Sequence, residues 1–250
     1  MYVSIEHFNG GMADDTFIGS SRSDILYGQD GNDHIEGAGG DDLLSGGSGG
    51  DHIDGGLGFD IVYYVPSPMG VNVDLLNGTA SGGHADGDFL VSIEGVHGSY
   101  NYDDFLYGDD MNNTFSGRGG DDVIDGRGGS DTIRGGLGSD QMTGGDAADR
   151  FIFDILEDSG VDLIDQDRLL DFAESEGDRI DFRTLAADIG PLSYVGTAAF
   201  SGSTGEIRSW ASSVLGFTHV GLDADGDAMA DMILLVAGNP ADITAAAFLL

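Results

Sequence analysis

Two runs of side-chain oxygen recur at intervals of nine residues: Asp15, Asp24, Asp33, Asp42, Asp51 and Asp60, then Asp104, Asn113, Asp122, Asp131, Asp140 and Asp149. So many evenly spaced acids point to a repeated oxygen donor rather than to a catalytic pair, because no two can be singled out as an acid/base dyad. Each acid stands sixth in a nonapeptide of the form G-G-x-G-x-D-x-U-x, where U is a large apolar residue. The turn glycines Gly31, Gly40, Gly49, Gly58, Gly120, Gly129 and Gly138 occupy the fourth position and add backbone carbonyls to the donor set. Carboxylates and carbonyls on flexible turns make a loose all-oxygen cage. Such a cage suits calcium better than magnesium, which demands a tight octahedron and gives up its water reluctantly. Transition metals prefer imidazole or thiolate, and this chain has no Cys and only six scattered His.

The elements that must hold these acids follow from the same period. The first block runs abutting from Gly10 to Tyr63 and the second from Ser99 to Ile152. The eighth positions are Phe17, Leu26, Ile35, Leu44, Ile53, Val62, Leu106, Phe115, Ile124, Ile133, Met142 and Phe151, apolar without exception. A solvated linker has no reason to keep that pattern. About three residues per repeat can be extended, while the glycine-rich remainder permits a tight turn. Each repeat is thus half a coil, and repeats n and n+2 stack on one edge. Stacked coils about 4.8 Å apart place like charges where each pair costs about 0.9 kcal/mol even in bulk water. A divalent cation between them reverses the sign. The expected rungs are Asp15 with Asp33, Asp24 with Asp42, Asp33 with Asp51 and Asp42 with Asp60, then Asp104 with Asp122 through Asp131 with Asp149. That pairing gives about eight calcium ions. Asn113 removes a charge, the repeat beginning at Gly19 is poor in glycine, and Ala13 and Ala147 replace the fourth-position glycine, so these edge sites are expected to be weak.

Composition agrees. Nine Arg, with no Lys, face 45 acids for a net charge of −36. That balance argues against nucleic acid or an anionic membrane as partner and toward cations. With 44 Gly, much of the chain belongs to the class that stays disordered until something neutralises and cross-ties it. The first seven residues lack the basic and apolar regions of a cleaved signal peptide, and no run of eighteen apolar residues suggests a membrane span.

The nonapeptides resemble those of the RTX (repeats-in-toxin) calcium-binding family. That resemblance implies an all-β fold: a right-handed parallel β-roll in two stacks, with the U side chains meeting inside. From Phe153 onward the chain resembles the C-terminal domain of serralysin-type (peptidase M10) metalloproteases. The matching pieces are Asp178-Arg-Ile-Asp-Phe182, Phe200-Ser-Gly-x-x-Gly-Glu206, an Asp-rich loop before a strand, and an aliphatic end after Phe248. This implies a β-rich cap carrying an uncleaved signal read by a type I (ABC) exporter, hence a secreted, extracellular or cell-surface protein. The family usually has an acid before the terminal Phe, where this chain has Ala247. The expected organisation is a first roll block at 1–63, a linking irregular β coil at 64–98 with strand patterning at Val71, Val73 and Leu75 and from Phe89 to Ile93, a second block at 99–152 and the cap at 153–250. Val3-Ser-Ile-Glu6 recurs as Val91-Ser-Ile-Glu94, so the chain starts inside a larger repeat. It is therefore expected to be either the C-terminal piece of a longer protein or a very small family member.

Asp223-Ala-Asp-Gly-Asp227 alternates acids around a glycine. Asp223, Asp225 and Asp227 are therefore a candidate calcium loop, with a charged hairpin turn as the alternative. No catalytic residues are found: H-E-x-x-H is missing, and Gly46-Gly-Ser-Gly-Gly50 meets G-x-S-x-G only inside a repeat turn. The expected function is a secreted calcium-binding module that folds on Ca2+ outside the cell and supports type I secretion. Two alternatives stand beside it. One is the non-catalytic tail of a larger secreted protease, epimerase, lyase or lipase. The other is an adhesin that meets extracellular polysaccharide through Tyr63, Tyr64, Tyr100, Tyr102 and Tyr107.

Overall fold

A computed structural model describes residues 7–250; the Val3–Glu6 copy of the recurring motif lies outside the described residues. The chain forms two compact units, Met1–Gly119 and Gly120–Leu250. Both are built from short parallel strands, as the β-roll expectation requires.

In the first unit, one sheet stacks His7–Asn9, Ile25–Asp30, Leu43–Ser48, Ile61–Tyr63, Gly95–His97 and Thr114–Gly119, all parallel and in register. The other stacks Thr16–Ile18, His34–Glu36, His52–Asp54 and Phe89–Val91 in parallel. It continues through an antiparallel excursion, Thr79–Ser81 and Asn72–Asp74, to Phe105–Tyr107. Alternate repeats feed alternate sheets because each repeat completes half a coil. The strands are short because the D-x-U-x stretch is followed by glycines that turn the chain. Side chains alternate across a strand, so the eighth-position residue points inward while its neighbours face out. All twelve eighth-position residues are buried, at 5% exposure or less. Each such burial contributes about 1.5–3 kcal/mol.

The insert at 64–98, expected as an irregular β coil with strands of its own, joins the ladder through them. Phe89–Val91 pairs with His52–Asp54, and Gly95–His97 lies between Ile61–Tyr63 and Thr114–Gly119. Leu90 and Val96 take up inward positions like those of the repeats. The physical reason is that a ladder needs an extended residue triplet with an apolar centre, and that triplet is present even though the chain between triplets has lengthened.

In the second unit, Thr132–Leu137, Arg150–Ile152, Arg179–Asp181 and Phe248–Leu249 are parallel neighbours. Val123–Asp125, Gln141–Thr143, Arg168–Leu169 and Met232–Ala237 form the start of the facing sheet. Met232–Ala237 then turns antiparallel into Phe217–Asp223 and Glu206–Ala211. The cap therefore extends the roll's own sheets before departing from them. Phe248 is 6% exposed, with its ring stacked on Phe182 at 6.1 Å and tilted against Tyr194 at 5.1 Å. The end of the chain is thus a packed strand. One α-helix, Arg183–Ile189, occurs among the described residues.

Candidate metal centres

The stacking of coils sets the carboxylates in two ladders per unit. Asp33 Oδ1 accepts the Asp15 N–H at 2.7 Å and Asp42 Oδ1 accepts that of Asp24 at 2.7 Å. Asp51 and Asp60 accept in the same way from Asp33 and Asp42, both at 2.8 Å. In the second unit Asp140 accepts from Asp122 at 2.9 Å and Asp149 from Asp131 at 2.8 Å. These are the expected n/n+2 rungs within each unit. The sixth-position aspartates Asp24, Asp33, Asp42, Asp51 and Asp60 are each at most 2% exposed. The ladder is therefore a buried column of charge rather than a solvated face.

One oxygen of each carboxylate is spent on the backbone. The other, Oδ2 of Asp33, Asp42, Asp51 and Asp60, is buried without a hydrogen-bond partner, as is Oδ2 of Asp149. Leaving a buried charged oxygen unsatisfied is expensive, so its neighbours show what could satisfy it. A Cβ built on Gly28 would strike Asp33 Oδ2 and the Gly46 carbonyl oxygen, and one on Gly37 would strike Asp42 Oδ2 and the Gly55 carbonyl. Gly126 and Gly144 relate to Asp131, Asp149 and the Gly144 carbonyl similarly. The glycine against the carboxylate is thus the first of each repeat. The fourth-position glycines stack on one another, with the Gly31 carbonyl against Gly49, the Gly40 carbonyl against Gly58, and the Gly120 carbonyl against Gly138. Carboxylate oxygen, glycine carbonyls and no competing donor make a set that fits a hard divalent cation such as calcium.

Electrostatics agree. Burial, augmented by Asp60 and Asp24, pushes Asp42 up to about 7. Burial and Asp33 raise Asp51 to about 6. Asp149 rises to about 6 through burial and the charges of Asp178, Asp171 and Glu176. Asp181 is the contrast: burial pushes it up too, but hydrogen bonds and charge from Arg183, whose Nη2 lies 2.7 Å from Oδ2, hold it below its usual value. Where a cation is built in, the carboxylate stays ionised. The rungs lack one.

The ladders also run beyond the repeats. Asp88 Oδ1 accepts the Asp51 N–H at 2.8 Å, and Glu94 Oε2 accepts that of Asp60 at 2.9 Å. In the second unit Asp167 accepts from Asp140 at 2.9 Å and Asp178 from Asp149 at 3.0 Å. Sequence reasoning missed all four because the separation grows from 18 residues to 37, 34, 27 and 29. The surviving signal was the D-x-U triplet itself in Asp88-Phe-Leu90, Asp167-Arg-Leu169 and Asp178-Arg-Ile180.

The edges behave differently. Asp15 Oδ2 accepts from Gly11 N–H and Asp24 Oδ2 from Ser20 N–H. The Asp104 carboxylate accepts N–H bonds from Val71 and Ser99, both at 2.7 Å. Asn113 Oδ1 turns inward to its own loop, accepting from Asp109 N–H. Ala147 adopts φ 87° where Gly40 adopts 107°, whereas Ala13 and Arg22 have no such left-handed conformation.

Asp223, Asp225 and Asp227 come together in the loop between Phe217–Asp223 and Met232–Ala237, with one oxygen of each within 4.8 Å of the others. Both Asp223 oxygens accept loop N–H groups, from Gly226 at 2.7 Å and Ala228 at 2.9 Å. The loop is therefore both the hairpin turn and the acid cluster that its sequence suggests. Of the tyrosines considered for glycan contact, Tyr100 and Tyr102 are exposed, but Tyr64 is 1% exposed and faces inward. The aromatic ring has been drawn into the core where the chain leaves the first repeat block, so Tyr64 is not a surface contact.

Comparison with known proteins bears on these ladders directly. The family described as Peptidase M10 serralysin C terminal matches residues 104–249. The RTX calcium-binding nonapeptide repeat (4 copies) matches residues 9–44 and 27–62. No curated protein matches the chain. Among solved structures, the chain is similar to the AlgE6R3 subunit of the Azotobacter vinelandii mannuronan C5-epimerase. The identity is 29% and the TM-score 0.48, over 60% of this chain and 79% of that one.

Proposed function

Starting from the fact that the chain belongs to the serralysin C-terminal family and carries RTX calcium-binding repeats, we propose that it is a secreted module whose folding is driven by calcium outside the cell. The observation that carries this reading is the buried column of Asp33, Asp42, Asp51 and Asp60, each with one unpartnered oxygen. Without a cation the column opposes folding through desolvation and mutual repulsion. With calcium, bound through Asp33, Asp42, Asp51, Asp60 and their counterparts Asp131, Asp140 and Asp149 with nearby glycine carbonyls, the same groups hold successive coils together. Binding free energy is then folding free energy. Extracellular modules of this class bind at roughly 10⁻⁴–10⁻³ M, so the low calcium of the cytoplasm keeps the chain unfolded and the outside folds it.

Membership of the serralysin C-terminal family supports a link to export. Ala247 and Phe248 are buried in the folded cap, so a type I exporter would read this segment only in the unfolded, calcium-poor chain. Calcium would then act after passage. The test is export of the chain by cells carrying a type I exporter, with and without residues 240–250, together with calcium binding by calorimetry. Export that is lost on truncation, with millimolar calcium uptake and no response to magnesium, is the expected result. Equal export of the truncated chain would remove the secretory part of the proposal. Absence of calcium uptake would remove the rest.

A further inference from the structure

Asp88 is a rung of the ladder by one oxygen and an exception by the other. Its Oδ1 accepts the Asp51 N–H at 2.8 Å, as Asp33, Asp42, Asp51 and Asp60 each accept from the coil before. At those four residues Oδ2 is buried without a hydrogen-bond partner. At Asp88 the Tyr64 hydroxyl donates to Oδ2 at 2.8 Å, with the phenol 1% exposed and the carboxylate 3% exposed. Tyr64 is fixed from the other side by its own N–H, which donates to the His97 carbonyl at 2.9 Å. It is the second residue of the Tyr63-Tyr64 step at which the insert begins.

We infer that the Tyr64 hydroxyl stands in the cation position of the Asp88 rung and closes this calcium column on the insert side. The inference rests on the calcium reading above. Its chemistry is simple: a calcium ion needs six to eight oxygens, and the Tyr64 hydroxyl already holds the Oδ2 that Asp88 would contribute to such a shell. A phenol needs one acceptor only. It satisfies the buried oxygen with one hydrogen bond and holds the place that an ion would otherwise take. Tyr64 therefore determines ion number in this column. It also makes the Asp51–Asp88 junction the part of the ladder that needs no calcium.

Native mass spectrometry of the full chain in millimolar calcium tests this by counting ions. Tyr64→Phe keeps the ring and removes the hydroxyl, leaving Asp88 Oδ2 open; the expected count is one calcium more than wild type. Asp88→Asn, with Tyr64 in place, should leave the count unchanged, whereas Asp51→Asn should lower it. A Tyr64→Phe count equal to wild type overturns the assignment. So does an ion lost from Asp88→Asn, and this second variant decides the matter if the first fails to fold. Wild-type protein with no calcium at all would instead refute the calcium reading on which the inference stands.

Discussion

A carboxylate in this ladder serves two masters, and its two oxygens behave differently. Oδ1 of Asp51 takes a backbone N–H from the coil before, while Oδ2 is buried against Gly46 with no hydrogen-bond partner. Asp51→Asn keeps an acceptor for the N–H but removes the charge, so calorimetry should find one ion fewer with the fold retained at saturating calcium. Gly46→Ala should be worse, because the new Cβ would collide with the Asp51 carboxylate. We expect it to cost about 1–3 kcal/mol, typical of overpacking, seen as a higher calcium midpoint. Protonation supplies another test. Asp42 and Asp88 rise to about 7, and Asp51 and Asp149 to about 6, chiefly through burial. Between the ordinary carboxylate value near 4 and those raised values, the folded metal-free chain holds more protons than the unfolded one. Its stability is therefore present at low pH and lost as pH rises from about 4 to about 7. Chelated protein should gain β signal when acidified from pH 8 to pH 5, and calcium uptake at pH 6 should release protons. A chelated chain that loses structure on acidification would contradict this.

At the scale of elements, the strand-turn unit was legible wherever the nine-residue spacing held. The period gave the inward residues from Phe17 to Val62 and from Leu106 to Phe151 and placed every one in the interior. It also gave the n/n+2 rungs. What it could not give was the continuation through Asp88, Glu94, Asp167 and Asp178, because a ladder requires matching triplets and tolerates any length of chain between them. Tyr64 was misplaced for a related reason: an aromatic residue at the end of a repeat block reads as surface until the insert folds over it. Core truncation tests the packing that the period implies. Ile53→Ala, fully buried between coils, should destabilise the calcium-bound fold by about 2–5 kcal/mol, measured by denaturant unfolding at fixed calcium. Turn geometry provides a gain in the opposite direction. Ala38 sits at φ 74°, where Gly47 and Gly56 occupy the matching positions of other repeats. Ala38→Gly should relieve left-handed strain of about 1 kcal/mol and lower the calcium midpoint slightly.

The whole chain carries a charge of −36, and that figure sets its thermodynamics. Apolar burial along the roll is real but is opposed by the buried acids and by the conformational freedom of 44 glycines. Self-repulsion at this net charge adds to the opposition. On the proposed reading, calcium removes the electrostatic part of it at many sites together, so folding should be cooperative in calcium, while magnesium, which holds its water tightly and demands a strict octahedron, should not substitute. The most direct test is far-UV circular dichroism of the full chain at pH 7.5, titrated with calcium from chelator to 10 mM and, separately, with magnesium. The account predicts a disordered spectrum in chelator, a steep transition to β structure near millimolar calcium, and no such transition with magnesium. A full β spectrum in chelator, unchanged by calcium, would contradict it.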